Sequence, residues 1–468
     1  MLYHVFIGFA YLTPLVGALL SDSFLDKYKT ITSLSLVYIL GLLILTVTSW
    51  PTLMGVETTK LRSFGPLLGL ALVCIGTGGI KPCVSAHGGD QFLEIQSAGL
   101  TRFYNYFYVA INVGAVVSSY ASPAVAKWTL YAFPNDTLAS WEARGLKPDI
   151  GNGYPVAWLM LLLSMSVALA VFVSGFKTYR VVPPAGRFIL WDHACVAISY
   201  AWHWFCGGRG TAYVEMCRKY GEDMVEEMLD LAQVMFALTP APIFWMAFSM
   251  NGSTFQDMGD QMRIPFGGDA QTSFFDSETT NNVWNPIFVV ILAPLMANIV
   301  YPFIERRFGT NSFPLMSRMA AGQVLAGIAY IFAALLQRSI NAHCANPHSH
   351  PDICTSSLPT LLLIPLYLLL TQAEILFSIS GLHFSYTEVG RRTKSVCSAL
   401  WLLTSSGGSF LAAWALGVTM ESAPEVWTRE RFFWGVSGLC FLSAAAQWGI
   451  SRVYVRKLDR KSNRALSP

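Results

Sequence analysis

What this chain has least of is charge. Only 13% of its 468 residues are Asp, Glu, Lys or Arg, while 53% are apolar; an ordinary soluble domain carries about 25% charged residues. That excludes a soluble globular protein and implies an integral membrane protein. A net charge of +3 offers no basic footprint for nucleic acid, and none is expected as a partner. The nine cysteines are scattered, with no C-x-x-C or Cys/His spacing of a metal site, so no metal is expected. No nucleophile–base pair and no H-E-x-x-H stands at mid-membrane depth, so the chain does not read as an enzyme. No secretory leader is evident, because the chain opens directly in an apolar segment.

What the chain has instead is a series of apolar runs near the ~20 residues that a helix needs to span a bilayer. They fall at 2–20, 30–49, 66–87, 104–126, 155–175, 232–250, 284–304, 315–337, 358–382, 395–418 and 432–453. The reading is an all-α membrane protein. The longest polar break, 177–231, separates five spans from six. It ends in Glu222-Asp223-Met224-Val225-Glu226-Glu227, which reads as an amphipathic helix on the cytoplasmic face. The expected layout is an N-terminal helical bundle in 1–176, a cytoplasmic linker in 177–231, a C-terminal bundle in 232–455, and a basic, disordered cytoplasmic tail in 456–468. Eleven spans suit paired repeats poorly. One further helix at the front would give six plus six, the layout of the major facilitator fold, so about 11 of its usual 12 transmembrane helices are expected here.

Orientation follows from basic residues. With the 20–30 loop inside, the inside segments hold roughly twice as many lysines and arginines as the outside ones, as the positive-inside rule requires. The sequon at Asn135 then lies outside, where glycosylation is expected. So do Cys344 and Cys354, which share a polar loop where a disulfide is expected. The same loop holds His343, His348 and His350; it reads as a solvated polar loop before it reads as a metal site.

Two intramembrane charges stand out. Lys81 follows the nearly unbroken apolar and glycine run 67–80, and Glu374 lies in Leu-Thr-Gln-Ala-Glu-Ile-Leu-Phe-Ser. A cation near mid-bilayer costs roughly 2.5–3.5 kcal/mol on insertion scales, so it is expected to face a polar cavity or an anion. A carrier of zwitterions needs one positive and one negative intramembrane group. At an effective dielectric near 20, opposite charges about 8 Å apart attract by roughly 2 kcal/mol. A ligand bridging Lys81 and Glu374 could thus bias closure of two halves.

Two strings carry a family resemblance. Gly17-Ala-Leu-Leu-Ser-Asp22-Ser-Phe-Leu-Asp26-Lys27 resembles the cytoplasmic signature of the major facilitators, with Asp26 where glycine is usual; Asp22 and Lys27 would be gating charges. Gly76-Thr-Gly-Gly-Ile-Lys81-Pro-Cys-Val-Ser-Ala-His-Gly-Gly-Asp90-Gln-Phe92 is the most specific string. With Phe103-Tyr-Asn-Tyr-Phe-Tyr108-Val-Ala-Ile-Asn112, Tyr3-His4, Phe244-Trp245 and Glu374-Ile-Leu-Phe-Ser-Ile-Ser-Gly-Leu-His-Phe-Ser-Tyr386, it resembles the proton-dependent oligopeptide transporter family, closest to the animal di- and tripeptide transporters. The resemblance runs from residue 2 to about 455.

That resemblance implies proton-coupled symport of di- and tripeptides by alternating access, with small peptides, protons and the lipid bilayer as partners and no cofactor beyond the proton as coupling ion. Lys81 would serve the proton and carboxylate network. Glu374 would bind the peptide amino terminus, aided by Asn112 and Asn285, and would share in proton coupling. Tyr11 and Trp245 would line side-chain pockets, and His4 would couple protons. A multi-pass plasma-membrane protein is implied, with an endosomal or lysosomal membrane as the alternative. The pattern also departs from the family. The E-x-x-E-R motif of the family's first helix is not in this sequence. Ser249 stands where the animal transporters have aspartate, and Gln233 and Ala297 replace a paired arginine and aspartate. His383 replaces a glutamate and His87 a phenylalanine. A truncated, non-transporting relative acting in binding, and a same-fold carrier of histidine, nitrate or another small solute, are the alternative readings.

Overall fold

The computed structural model describes residues 2–50, 59–93, 96–126, 153–184, 189–265, 277–309, 312–343, 356–389, 394–422 and 427–465. Among these the regular structure is helical, with one isolated bridge between Arg263 and Pro359. Helices are what apolar segments must form in lipid, because no water is available to satisfy the backbone.

The N-terminal half comprises α1 (Leu2–Ser23), α2 (Lys27–Thr48), α3 (Thr59–Asp90), α4 (Ser97–Ala126) and α5 (Tyr154–Ser174). Next come α6 (Ile189–Gly207) and α7 (Arg209–Tyr220). The C-terminal half holds α8 (Glu222–Ala237), α9 (Ala241–Ser249), α10 (Thr254–Asp260), α11 (Ser277–Leu295), α12 (Tyr301–Phe308) and α13 (Leu315–Ala342). It closes with α14 (Ile364–Glu374), α15 (Ser380–Thr387), α16 (Lys394–Leu416) and α17 (Arg429–Ala465). Nine helical stretches of the described residues are long and apolar enough to cross a membrane. A tenth span is broken: Glu222–Ala237 and Ala241–Asp260 meet at 48°. The shorter apolar stretch Ala110–Ala126 of α4 accounts for the remaining segment read from sequence. The chain is thus an all-α, multi-pass membrane protein.

Two cores mark two bundles. Leu42, Leu45 and Val73 pack with Phe6, Tyr38 and Trp158 in the first. A much larger cluster, including Phe244, Tyr330, Tyr367, Phe377 and Phe433, fills the second. The halves meet where α1 lies on α16 and α4 on α11. Within the first bundle, α1 and α3 cross at glycines. A Cβ on Gly17 would run into the carbonyl of Gly78, and one on Gly78 into Thr13. Pro82 has no N–H for the Gly78 carbonyl four residues before it, so that oxygen is left to face the neighbouring backbone.

Glu222–Glu227 is helical and amphipathic, as read: it opens α8, which continues unbroken to Ala237 with Val225, Met228, Leu231 and Val234 buried, so the boundary drawn at 231/232 falls inside a helix. The basic tail, expected to be disordered, is helical. α17 runs on to Ala465, because its Lys- and Arg-rich composition has good helix propensity.

The turn between α1 and α2 shows how the chain manages without the usual glycine. Asp26 adopts φ 50°, a region that favours glycine. It is buried, its carboxylate accepts the Lys29 N–H at 2.8 Å, and it thereby caps α2. The Asx side chain offsets part of the backbone strain.

Candidate functional site

Glu374 ends α14, half-buried in the C-terminal bundle. The Asn285 side-chain amide, on α11, donates to its carboxylate at 2.8 Å and lies 3.1 Å from the Thr371 hydroxyl one turn earlier. Immediately after Glu374 the helix widens into a π turn, Ile375–Ile379. Such turns insert an extra residue and often mark functional sites. Here the turn carries Phe377, which stacks on Phe244 with ring centroids 4.0 Å apart and meets Trp401 at 5.8 Å. Trp245 stands edge-on to both Phe377 and Trp401, and its indole N–H donates to the Thr404 hydroxyl at 3.1 Å. The ring is therefore part of an aromatic wall behind Glu374.

On the other side, the Lys81 ammonium sits over the Tyr11 ring, 3.8 Å from its centroid. Lys81 is exposed, and among the described residues no carboxylate pairs with it. The ring's negative π face partly replaces that missing anion. Tyr11 thus acts first as a cradle for the lysine. Asn112 is half-buried on α4, the helix that packs against Asn285's helix α11.

His4 is fully buried at the start of α1. Its Nε2 lies 2.8 Å from the hydroxyl of Ser253, at the α9–α10 break of the opposite half, and its Nδ1 has no partner. Nearby, Ser406 on α16 donates to the Gly8 carbonyl at 2.7 Å, and Phe9 meets Phe410 edge-on at 5.3 Å. These three side-chain contacts of α1 with the C-terminal half all fall in its first ten residues. That is the outer end in the orientation argued above.

At the inner end, Lys27 pairs with Asp90 at 2.6 Å, joining the start of α2 to the end of α3. The side chain of Asp22 lies outside the described residues, as do Asn135, Cys344 and Cys354. His87, one turn before Asp90, is buried edge-on against Phe172 and Tyr179, and its Nε2 has no partner.

The departures are accommodated locally. Ser249 bonds back to the Met246 carbonyl at 3.0 Å, and Gln233 to the Leu229 carbonyl at 3.2 Å. Ala297 sits in a second π turn, Met296–Val300, and leaves no charge unmatched there.

The POT family profile matches residues 28–428. The chain belongs to the POT family. Among curated proteins, this POT chain is 33% identical over 359 residues to solute carrier family 15 member 1 of Rattus norvegicus, covering 73% of the chain and 46% of that protein. It is 32% identical over 350 residues to member 2 from the same species, covering 72% and 44%. The chain thus spans under half the length of these relatives. Two solved POT structures share its fold. An auto-inhibited POT family peptide transporter superposes with a TM-score of 0.69 at 24% identity, covering 96% of this chain and 87% of that one. The transporter PepTSo superposes with 0.70 at 22%, covering 97% and 89%. The architecture is therefore the major facilitator fold, and its relatives are transporters, not enzymes.

The sequence alone pointed to Lys81, Glu374, Trp245 and His4, and to Asn285 as the helper of Glu374, but missed Ser253 and Thr404. These two carry no local signature, and each is identified only by which distant helix packs beside it; Thr371 and Phe377 stand in the strings around Glu374 but had no role there. Asp90 was within reach, because it stands in the same string as Lys81.

Proposed function

We propose that this POT chain carries di- and tripeptides across a membrane by alternating access, coupled to inward proton flow. The carrying observation is the separation of two complementary charges. Lys81 is exposed in the N-terminal half, and Glu374, oriented by Asn285, lies in the C-terminal half. A peptide's two charged termini are costly to bury unpaired, so a dry cavity that holds them must offer both partners. Recognition through shared backbone termini tolerates many side chains, and the Trp245–Phe377–Trp401 wall supplies an apolar surface for them.

The proton step is assigned to His4. One ring nitrogen is engaged across the halves by Ser253, and the other is buried without a partner. In the neutral ring that binds a proton at Nδ1, Nε2–H already donates to the Ser253 hydroxyl, which can itself donate to the Met250 carbonyl at 3.4 Å. The added charge would strengthen the hydrogen bond to Ser253, which ties proton binding to the outer contact between halves. Proton release and peptide release on the inner side complete the cycle, and a plasma membrane is the proposed location. Solved relatives include an auto-inhibited POT family peptide transporter and a POT family transporter in complex with a thioalcohol-conjugated peptide, which supports the substrate class.

The test is uptake of labelled dipeptide by cells or vesicles bearing this chain, at acidic outside pH, with and without a proton uncoupler. Uptake abolished by the uncoupler supports the reading. Uptake that ignores the uncoupler removes the coupling. Uptake of nitrate or histidine in place of peptide reassigns the solute, and binding of peptide without uptake reassigns the chain as a binding protein.

A further inference from the structure

The linker helix α6 presents apolar side chains on both of its faces. It is not apolar enough to count among the spans, as Asp192, His193 and His203 interrupt it. Its inward face is where the polar contacts are. Ser199 reaches the Tyr220 hydroxyl at 3.4 Å, and the His203 Nδ1 lies 2.8 Å from the Ser199 carbonyl. Val196 on that face is buried against Met216, Val225 and Met228. The opposite face carries Ala197, Ile198, Ala201, Trp202 and Phe205, all exposed. Ile198, Trp202 and Phe205 are 72%, 67% and 91% exposed, and their spacing of four and three residues puts them on one stripe. A helix with that face in water would carry polar residues there.

We propose that this stripe of α6 lies in the headgroup–acyl boundary of the cytoplasmic leaflet, making the linker a membrane-surface anchor. Three observations favour lipid as the occupant. α6 packs against α1, a spanning helix, so its outer face continues a lipid-facing surface. The adjoining helix α7 ends in exposed Arg218 and Lys219, the charge that anionic headgroups complement. Trp202 and Phe205 are residue types that settle at the membrane boundary. The proposal concerns the linker alone and does not depend on what the chain transports.

The test uses the full chain reconstituted in vesicles of phosphatidylcholine and phosphatidylserine that contain a lipid with a photoreactive acyl chain, followed by peptide mapping. The peptide containing Trp202 and Phe205 should be labelled by lipid, at a level independent of protein density. Labelling should fall at least about fivefold in the Trp202→Glu, Phe205→Glu double variant, and hydrogen exchange should rise in α6 alone. Arg218→Glu with Lys219→Glu should reduce the gain from phosphatidylserine while leaving labelling in pure phosphatidylcholine. If the double variant fails to fold, labelling of the unaltered chain still decides. Absence of lipid labelling, with the same peptide open to a water-soluble reagent, overturns the proposal. Cross-links to a second copy that grow with protein density also overturn it, in favour of self-association.

Discussion

The Asn285 side-chain amide donates to the Glu374 carboxylate at 2.8 Å, from a helix that precedes Glu374 by some ninety residues. The amide holds one carboxylate oxygen and leaves the other for a ligand. Glu374→Gln should remove the charge while keeping the shape. A hydrogen bond to a charged group contributes about 1.5–3 kcal/mol, so apparent peptide affinity should fall roughly ten- to a hundredfold. Competition uptake with a dipeptide and its N-acetylated form measures this. If both peptides compete equally against the unaltered chain, Glu374 does not read the amino terminus.

The His4–Ser253 contact joins the halves. His4→Ala and Ser253→Ala, alone and together, form a double-mutant cycle. Their coupling in thermal stability should be about 0.5–1.5 kcal/mol. Ser253→Ala should shift the pH profile of uptake, which a packing role alone would not do.

Lys81 rests on Tyr11. Tyr11→Phe should preserve uptake, because the π face remains. Tyr11→Leu should weaken it severalfold by removing a contact of about 0.5–2 kcal/mol. Lys81→Gln should abolish uptake of peptides with a free carboxylate, as read by transport of dipeptides against their C-terminal amides.

Asp26 combines a glycine-like backbone with a cap. Replacing a cap by alanine costs about 0.5–2 kcal/mol, and by glycine only a few tenths, while glycine also relieves strain of about 1–3 kcal/mol. Unfolding midpoints in detergent should therefore rank Asp26→Gly at or above the unaltered chain and Asp26→Ala below it.

His87 fills an aromatic position with a ring whose Nε2 is buried and unpartnered. His87→Phe should keep the edge-on contacts with Tyr179 and Phe172 and remove a penalty of about 1–3 kcal/mol. A raised melting temperature is the expected result; a lowered one would show that the nitrogen has a polar role.

The spans were legible because hydrophobic length is a property of each segment by itself. All eleven apolar runs fall on helices. Lys81 and Glu374 were legible for a related reason: a charge inside an apolar run is conspicuous without knowing its neighbours. The amphipathic helix at Glu222–Glu227 was legible from its acidic residues, but not its extent: the backbone continues through Met228 and Leu231, which are buried with Val225. Contacts such as His4 to Ser253 depend on which helices cross, and no local pattern in either segment encodes that. At Asp26 a local rule failed instructively. Glycine is usual at this position, but the aspartate adopts a glycine-like backbone and its side chain supports it by bonding to it.

The π turn after Glu374 gives the span a concealed reading frame. Its extra residue offsets Ile379 and everything beyond it by about 100° of rotation relative to a regular helix. Deleting one residue within Ile375–Ile379 would let the ladder close into α register. α15 would then have to swing around the axis or Glu374 would have to turn from Asn285, and both cannot keep their present neighbours. Single-residue deletions here should thus disable the protein while leaving its helix content and its insertion unchanged, a lesion that composition and hydropathy would never reveal.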